Sequence, residues 1–424
     1  MHTWIVQTGE PLPTDGPDVR GMRAMNLAKA LVERGHRVTI WSTDFYHQEK
    51  RHRFGRDSVI DVSEALQVRL IHSCGYRRNI GISRFVDHAQ LGLRFGRLAG
   101  KAPLPDIAVV GFPPIEIAAA AVGFCRRHGV PSVLDVKDLW PDLFEDPAPT
   151  PARPAIRTLL APLHRLAVRA IRNSDAVCAP SLGFMNWARA KAGISPRPDD
   201  FVAPLTSPRH LIGEAELCEA GTWWDSMGVP ADGRPRAAFV GSMSRSFDFD
   251  TMLSSARSPA GARWQWVVCG EGEELARCKL QVNGLPNVVF PGWIDRPKIQ
   301  ALLSRSTVGL APYRSIPNFE LNICNKVYDY LQSGLPVVSP LQGDVKELLD
   351  RERVGCSHLP GDPENLLAAM DALETPEARS AAAGAAERLY AGRFEAKGVY
   401  DGFVDHLEAM HRRHRMDRLV MPDA

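Results

Sequence analysis

Residues 322–339 read NICNKVYDYLQSGLPVVS. Val327, Tyr330 and Leu331 recur at helical spacing, Gly334 stops the helix, and Leu335–Ser339 is a short apolar strand. A helix that ends on glycine and feeds a strand is the repeating unit of a parallel sheet covered by helices. The unit recurs upstream, where Ala237–Gly241, Trp264–Cys269, Val288–Pro291 and Val308–Ala311 read as strands with helical stretches between them. It recurs again in the first half. Thr3–Gln7 and Val38–Ser42 are strands, and between them Val19, Met22, Met25, Ala28 and Leu31 keep helical spacing up to Gly35. Asp106–Gly111, the Ala-rich helix Ile115–His128 stopped by Gly129, Val133–Val136 and Ala176–Ala179 continue the series.

Two such arrays in 424 residues predict an α/β protein of two doubly wound, Rossmann-like domains facing a cleft. The predicted boundaries are 1–202 for the first domain and 236–392 for the second. A Pro- and turn-rich linker spans 203–235, and a helix over 393–424 packs back toward the first domain. An apolar content of 45% and a charged content of 24% are those of a folded globular chain. The net charge of +2 gives no reason to expect nucleic acid. No apolar run reaches the length of a membrane-spanning helix, and Met1-His2-Thr3 runs straight into an apolar strand without the pattern of a signal peptide. Eight scattered cysteines without a C-x-x-C pair read as reduced thiols. Together these predict a cytoplasmic protein.

The chemistry is sought where strands end. Asn325 reads as the N-cap of the helix in the opening segment, which puts Lys326 in the first turn. The helix dipole disfavours a cation there, so Lys326 predicts an anion nearby, and the free N–H groups of the helix start complete a phosphate site. Asp329, one turn on, suits ribose hydroxyls; a solvated helix start carrying an incidental Lys and Asp fits the same residues about equally well. Gly241-Ser242-Met243-Ser244-Arg245 is a second phosphate candidate, although an ordinary strand-to-helix loop has the same composition. Gly270-Glu271-Gly272 lacks the third glycine of a dinucleotide motif, which disfavours an oxidoreductase. Asp248-Phe249-Asp250 has the D-x-D form of a metal motif but lies at a predicted helix start, where Asp248 is an N-cap.

In the first half, the loop Gly9-Glu10-Pro11-Leu12-Pro13-Thr14-Asp15-Gly16 leads to Arg20 and Arg23, and Asp135-Val136-Lys137-Asp138-Leu139-Trp140 gathers charge beside an aromatic. Both follow strands and lie where a doubly wound domain meets its substrate. Asp138 reads equally as a turn cap or a catalytic group. Residues 76–101 and 153–172 alternate arginines with apolar residues. The first stretch reads as a surface for anionic lipid, the second as core helix with a solvated outer face. The thirteen histidines form no pair at metal or triad spacing, and His72 and His88 read as surface or core residues.

On the segments NKVYDYLQSGLPVVSPLQGDVKELL, FVGSMSRSFDFDTML, CGEGEEL, NVVFPGWID, VLDVKDLWPD and QTGEPLPTDGPDVRGMR, the sequence resembles the retaining glycosyltransferases of family 4, which have the GT-B fold. It is most similar to transferases of bacterial surface polysaccharides. The resemblance implies transfer of a sugar from a nucleotide-sugar, most often a UDP-sugar, to a glycan or polyprenyl-diphosphate-linked acceptor, without a cofactor and without a required metal. It implies a second half that binds the donor through Gly241, Ser242, Gly270, Glu271, Trp293, Ile294, Glu320, Asn325 and Asp329. Lys326 and Arg245 face the phosphates. It implies acceptor contacts at Gly9, Glu10, Asp15, Gly16 and Arg20, with Asp138 beside the reaction, and a protein peripheral to the inner face of the cell membrane. Three departures stand out. Ser242 and Phe247 occupy the places of the family's loop Arg and Lys, and Glu320 precedes Asp329 by nine residues where the motif has eight. A nucleotide-sugar epimerase of the same fold and a catalytically silent sugar- or lipid-binding scaffold are the rival readings.

Overall fold

The computed structural model describes residues 1–16, 21–78, 81–145, 149–209 and 211–420; Arg20, Val19 and Ile80 therefore lie outside the described residues. The chain divides into two compact units, Met1–Ser207 with Ala396–Ala424, and Pro208–Glu395.

The first unit contains strands β1 (His2–Val6), β2 (Arg37–Thr43), β3 (Phe45–Tyr46), β4 (Arg51–His52), β5 (Ser58–Asp61) and β6 (Leu66–Ile71). They are followed by β7 (Ile107–Phe112), β8 (Ser132–Val136), β9 (Ala176–Ala179) and β10 (Phe201–Val202). Its helices are α1 (Arg23–Glu33), α2 (Ile82–Ala99), α3 (Ile115–Arg127), α4 (Arg153–Leu159), α5 (Ala161–Asn173) and α6 (Leu182–Ala192). The main sheet runs β10-β9-β8-β7-β1-β2-β6-β5. Every pairing is parallel except the β5 edge, which returns antiparallel to β6 with Ser58 opposite Leu70. The order reverses at β1, which sits between β7 and β2, so the switch point of the sheet is at the end of the first strand. The loop that begins at Gln7 leaves from that point.

The second unit contains α7 (Glu214–Ser226), β11 (Arg236–Val240), α8 (Phe249–Arg257), β12 (Gln265–Cys269), α9 (Leu275–Gln281), β13 (Val288–Gly292) and α10 (Arg296–Ser304). It continues with β14 (Val308–Leu310), α11 (Pro317–Glu320), α12 (Asn325–Gln332), β15 (Val337–Ser339), α13 (Asp344–Glu352), β16 (Gly355–Ser357), α14 (Pro363–Asp371) and α15 (Pro376–Leu389). Its six strands are all parallel in the order β13-β12-β11-β14-β15-β16. The switch point lies at β11, whose end carries Gly241. Both sheets and their helix layers agree with the doubly wound expectation. Residues 208–235, read above as linker, fall within this unit. Trp224 of α7 is fully buried and donates its indole N–H to the Lys298 carbonyl on α10 at 2.8 Å.

The last helix, α16 (Ala396–Val420), returns to the first unit and packs on α1. Tyr400, Phe403, Val404, Leu407 and Met410 are buried with Met25, Leu27 and Leu31, and the Tyr400 hydroxyl donates to the Thr206 carbonyl at 3.0 Å. On the opposite face of the sheet, Trp4, Trp41, Phe95 and Phe124 form a buried aromatic cluster, with Trp4 and Trp41 ring centroids 5.2 Å apart. Among the described residues no helix is long and apolar enough to cross a membrane.

Candidate functional site

In the second unit, three strand ends converge. Gly241 follows β11, Gly270 follows β12, and Trp293 follows β13. The Gly241 amide donates to the Cys269 carbonyl at 3.0 Å, and the Gly270 amide to the Gly292 carbonyl at 2.7 Å. The two glycine loops touch so closely that a Cβ on Gly270 would sit 1.8 Å from the Gly241 carbonyl oxygen, and one on Gly272 2.3 Å from that of Met243. This backbone contact is why glycine is required at both places. Trp293 is 71% exposed beside this junction, whereas Ile294 is buried at 5%. The structure therefore brings Gly241, Gly270 and Trp293 together, with an aromatic face open to solvent.

Helix α12 delivers Lys326 to the same place. Tyr330 anchors the helix: its ring lies against Gly309, where a Cβ would meet it at 2.6 Å, and its hydroxyl donates to the Leu310 carbonyl at 3.0 Å. That anchoring turns the preceding helical turn toward the end of β11. The Lys326 ammonium donates to the Val240 carbonyl at 2.5 Å and lies over the rings of Phe239 and Phe247 at 4.5 and 4.9 Å. A Cβ on Gly241 would be 1.7 Å from it. Burial, against the pull of Asp329 and Cys324, lowers the Lys326 pKa from 10.5 to about 8. A buried ammonium with one carbonyl acceptor and two ring faces is short of counter-charge. It lies where the glycine loop turns, in keeping with the anion expected there.

The neighbouring residues divide. Asn325 is not the N-cap: Cys324 holds that position in extended geometry without a side-chain cap, and Asn325 is the exposed first residue of the helix. No side chain of Cys324 caps the helix start, the Val327 amide donates to the Cys324 carbonyl at 2.9 Å, and the Tyr313 hydroxyl faces the Lys326 backbone. Asp329 is half-buried one turn after Lys326. Arg245 is exposed and faces Glu273 and Glu274 at 3.8 and 3.7 Å, while Ser242 and Glu271 are exposed on the same pair of loops. Phe247, in the place of the family's lysine, is 5% exposed and packs with Phe239, Phe249 and Tyr313. Glu320 accepts from the Gln342 and Gly343 amides at 2.7 and 2.6 Å and from the Ser315 hydroxyl at 2.5 Å. Its carboxylate closes the loop before α13. Asp248 caps α8 as expected, accepting from the Thr251 amide at 3.2 Å, and Asp250 is held by Arg277 and Gln281. The D-x-D pair is engaged within the chain.

In the first unit, the loop after β1 is fixed by its own carboxylates. Glu10 accepts from the Ala24 amide at the start of α1 at 2.9 Å and from Lys137 at 2.8 Å, and Lys137 also donates to Gln7 at 2.6 Å. The Asp15 side chain is fully buried and takes both arms of Arg53 at 2.6 and 2.7 Å. Gly9 has φ +80° at the exposed tip and Gly16 lies after the short turn. Arg23 and Asp135 form a buried bidentate pair at 2.7 and 2.9 Å. Gly9, Glu10, Asp15 and Gly16 thus lie on the loop at the carboxyl end of β1, which Glu10 and Asp15 shape, while Arg20 is outside the described residues. Asp138 is half-buried on the turn after β8, next to the buried Leu139 and Trp140. Arg84 covers the Trp140 ring at 4.7 Å.

Two features gave no signal at the level of spacing. Arg53 reaches Asp15 across 38 residues. His52 and His72, 20 residues apart, both direct Nδ1 at one oxygen of Asp44, at 3.1 and 2.9 Å.

Two Rossmann-like units with these strand-end loops have the architecture of the GT-B class. The family model described as Glycosyl transferases group 1 matches residues 234–375, and the Glycosyl transferase 4-like domain matches residues 21–204. A GDP-mannose-dependent alpha-mannosyltransferase of Mycobacterium tuberculosis (strain CDC 1551 / Oshkosh) is 27% identical over 310 residues, covering 73% of this chain and 74% of the relative. Among solved structures, sucrose-phosphate synthase from Thermosynechococcus elongatus superposes with a TM-score of 0.68 at 14% identity, covering 99% of both chains. Anabaena Alr3699/HepE in complex with UDP-glucose superposes with a TM-score of 0.64 at 14% identity, covering 96% of this chain and 100% of that one. The chain belongs to the GT-B glycosyltransferases of the family-4 type.

Proposed function

We propose that this glycosyltransferase moves a sugar, with retention of its anomeric configuration, from a nucleotide-sugar to a glycan or polyprenyl-diphosphate-linked acceptor in bacterial surface-polysaccharide assembly. The observation that carries the donor half is the buried Lys326 ammonium over the Gly241 turn. There it meets the diphosphate as charge develops on the leaving group, at the positive end of the α12 dipole. Asp329 takes the ribose, and the exposed Trp293 the base. The bond from the anomeric carbon to the phosphate oxygen breaks while the acceptor oxygen attacks from the same face. The acceptor's proton passes to the departing phosphate oxygen, so the scheme assigns no side chain as base. Because Asp248 and Asp250 are spent on a cap and an ion pair, the diphosphate's charge is met by the chain's own cations rather than by a metal at that pair.

Uridine is the proposed base, following the resemblance and the UDP-glucose complex of the Anabaena neighbour. Guanine is the second reading, favoured by the GDP-mannose dependence of the mycobacterial relative. We place the protein in the cytoplasm, against the inner face of the membrane. Support comes from α2, where Ile82, Val86, Ala89 and Leu93 form an exposed apolar stripe, with Ile82 at 81% and Leu93 at 70% exposure, and Arg97 continues it. Such a stripe costs hydration free energy in water and gains it in a lipid interface. The test is a panel of UDP- and GDP-sugars screened by thermal stabilisation, followed by product analysis with a membrane extract as acceptor. Absence of stabilisation by any nucleotide-sugar, or an epimer formed from donor alone, overturns the proposal.

A further inference from the structure

The Asp44 neighbourhood has the chemistry of a metal site that the glycosyl-transfer reading does not use. Asp44 follows β2, His52 lies on β4 and His72 follows β6, so three separate segments meet. The Asp44 side chain is fully buried, while His52 and His72 are 30% and 34% exposed. One oxygen, Oδ2, faces three donors: His72 Nδ1 at 2.9 Å, His52 Nδ1 at 3.1 Å and the Gly55 amide at 3.0 Å. The other oxygen accepts the Phe54 amide at 2.7 Å. A carboxylate oxygen has two in-plane lone pairs, so three donors overfill Oδ2 when both imidazoles carry their proton on Nδ1. With those protons on Nε2, two nitrogen lone pairs and a carboxylate oxygen point at one another, a donor set that suits a cation.

The spacing fits an ion. All three ligand atoms lie within 4.8 Å of one another. Ligands on a tetrahedral zinc with bonds of about 2.0–2.1 Å stand about 3.3 Å apart, close to the two separations above. The Phe54 and Gly55 amides hold the carboxylate, the outer support a metal ligand needs. The second acidic–histidine group of the described residues, Asp142, Glu145 and His164, lacks this character because a cation of the chain already fills it. Lys191 pairs with Asp142 and lies 3.1 Å from His164 Nδ1.

We infer that Asp44, His52 and His72 bind a divalent ion of the zinc class, with water completing the coordination on the exposed side. Two nitrogens and one oxygen select such an ion over calcium or magnesium. The ion ties the β3–β4 hairpin to the ends of β2 and β6. Arg53 follows His52 directly and holds Asp15, so the clamp extends to the loop after β1. This inference stands independently of the sugar donor and acceptor.

The test uses the full chain without a polyhistidine tag, freed of metal by chelator and titrated with Co2+. One equivalent binds with visible absorption of a low-symmetry nitrogen–oxygen site and no thiolate charge-transfer band, and Zn2+ displaces it. His52→Gln/His72→Gln lowers the affinity about 100-fold or more, and His52→Gln alone, on an exposed hairpin, about 10-fold or more. The metal-free variants melt with the metal-free parent, and Asp142→Asn keeps full binding. Absence of saturable Co2+ or Zn2+ binding by the parent overturns the inference. So does equal affinity in parent and His52→Gln, or a thiolate band accounting for the bound equivalent.

Discussion

Replacing Lys326 by Met keeps the length of the side chain and removes its charge, which separates an anion-binding role from a packing role. The burial that lowers this pKa from 10.5 to about 8 corresponds to roughly 3 kcal/mol carried by the charged form in the folded state. Below pH 8 both folded and unfolded chains are protonated there, and the folded chain bears the whole cost. Between pH 8 and 10.5 the unfolded chain binds more protons, so stability rises with pH across that window. Lys326→Met therefore holds or raises the melting temperature at pH 7, even after loss of the bond to Val240, and the parent closes the gap by pH 10. Ligand binding shows the opposite trend. A diphosphate beside the ammonium favours its charged form and raises its pKa, so nucleoside-diphosphate affinity falls as the pH rises from 7 to 9.5. The charge-assisted contact contributes about 1.5–3 kcal/mol, which makes Lys326→Met roughly 10- to 150-fold weaker at pH 7 and flat with pH. Isothermal titration calorimetry in two buffers of different ionisation enthalpy reads both affinity and proton uptake. A parent whose affinity does not change with pH, or a variant that loses stability and affinity together, refutes the reasoning.

Other expectations follow from the same geometry. Gly270→Ala drives a Cβ into the Gly241 carbonyl and costs about 1–3 kcal/mol of stability by denaturant unfolding, with loss of donor binding. Trp293→Ala, at an exposed position, leaves the melting temperature within a degree or two but weakens nucleotide binding several-fold by calorimetry. Asp15→Asn strands the buried Arg53 and costs about 3–5 kcal/mol; a cost within the range of surface substitutions argues against the role of that pair in fixing the loop. Leu93→Glu reduces cosedimentation with anionic vesicles while turnover of soluble acceptors is kept.

The fold was legible because its signals are local. Apolar runs bounded by Gly35, Gly129 and Gly334, each at positive φ in the structure, mark where helices stop and strands begin. β6 was overlooked because Leu66–Ile71 alternates polar and apolar residues before an antiparallel edge, unlike the continuous apolar runs around it. Asp248 was read correctly as a cap because its bond to Thr251 spans three residues, whereas Asn325 was misread because the true cap, Cys324, uses no side-chain bond. Lys326 draws notice in the sequence through its conflict with the helix dipole. The roles of Glu10, Asp15 and Glu320 do not, since their partners Lys137, Arg53 and Gly343 lie between 23 and 127 residues away. Motif residues say where chemistry is possible, and only the fold shows which carboxylates are already occupied.

Because α16 completes the hydrophobic interior that β1 and α1 begin, the unit translated first is the last to be finished. While the ribosome makes the intervening 208–395 unit, the faces of Met25, Leu27 and Leu31 await Phe403, Val404 and Leu407. The nascent amino-terminal half thus spends most of synthesis with an uncovered apolar seam. A stop codon placed after residue 202 and before residue 396 yields a chain that aggregates, even though every strand of its first sheet is present.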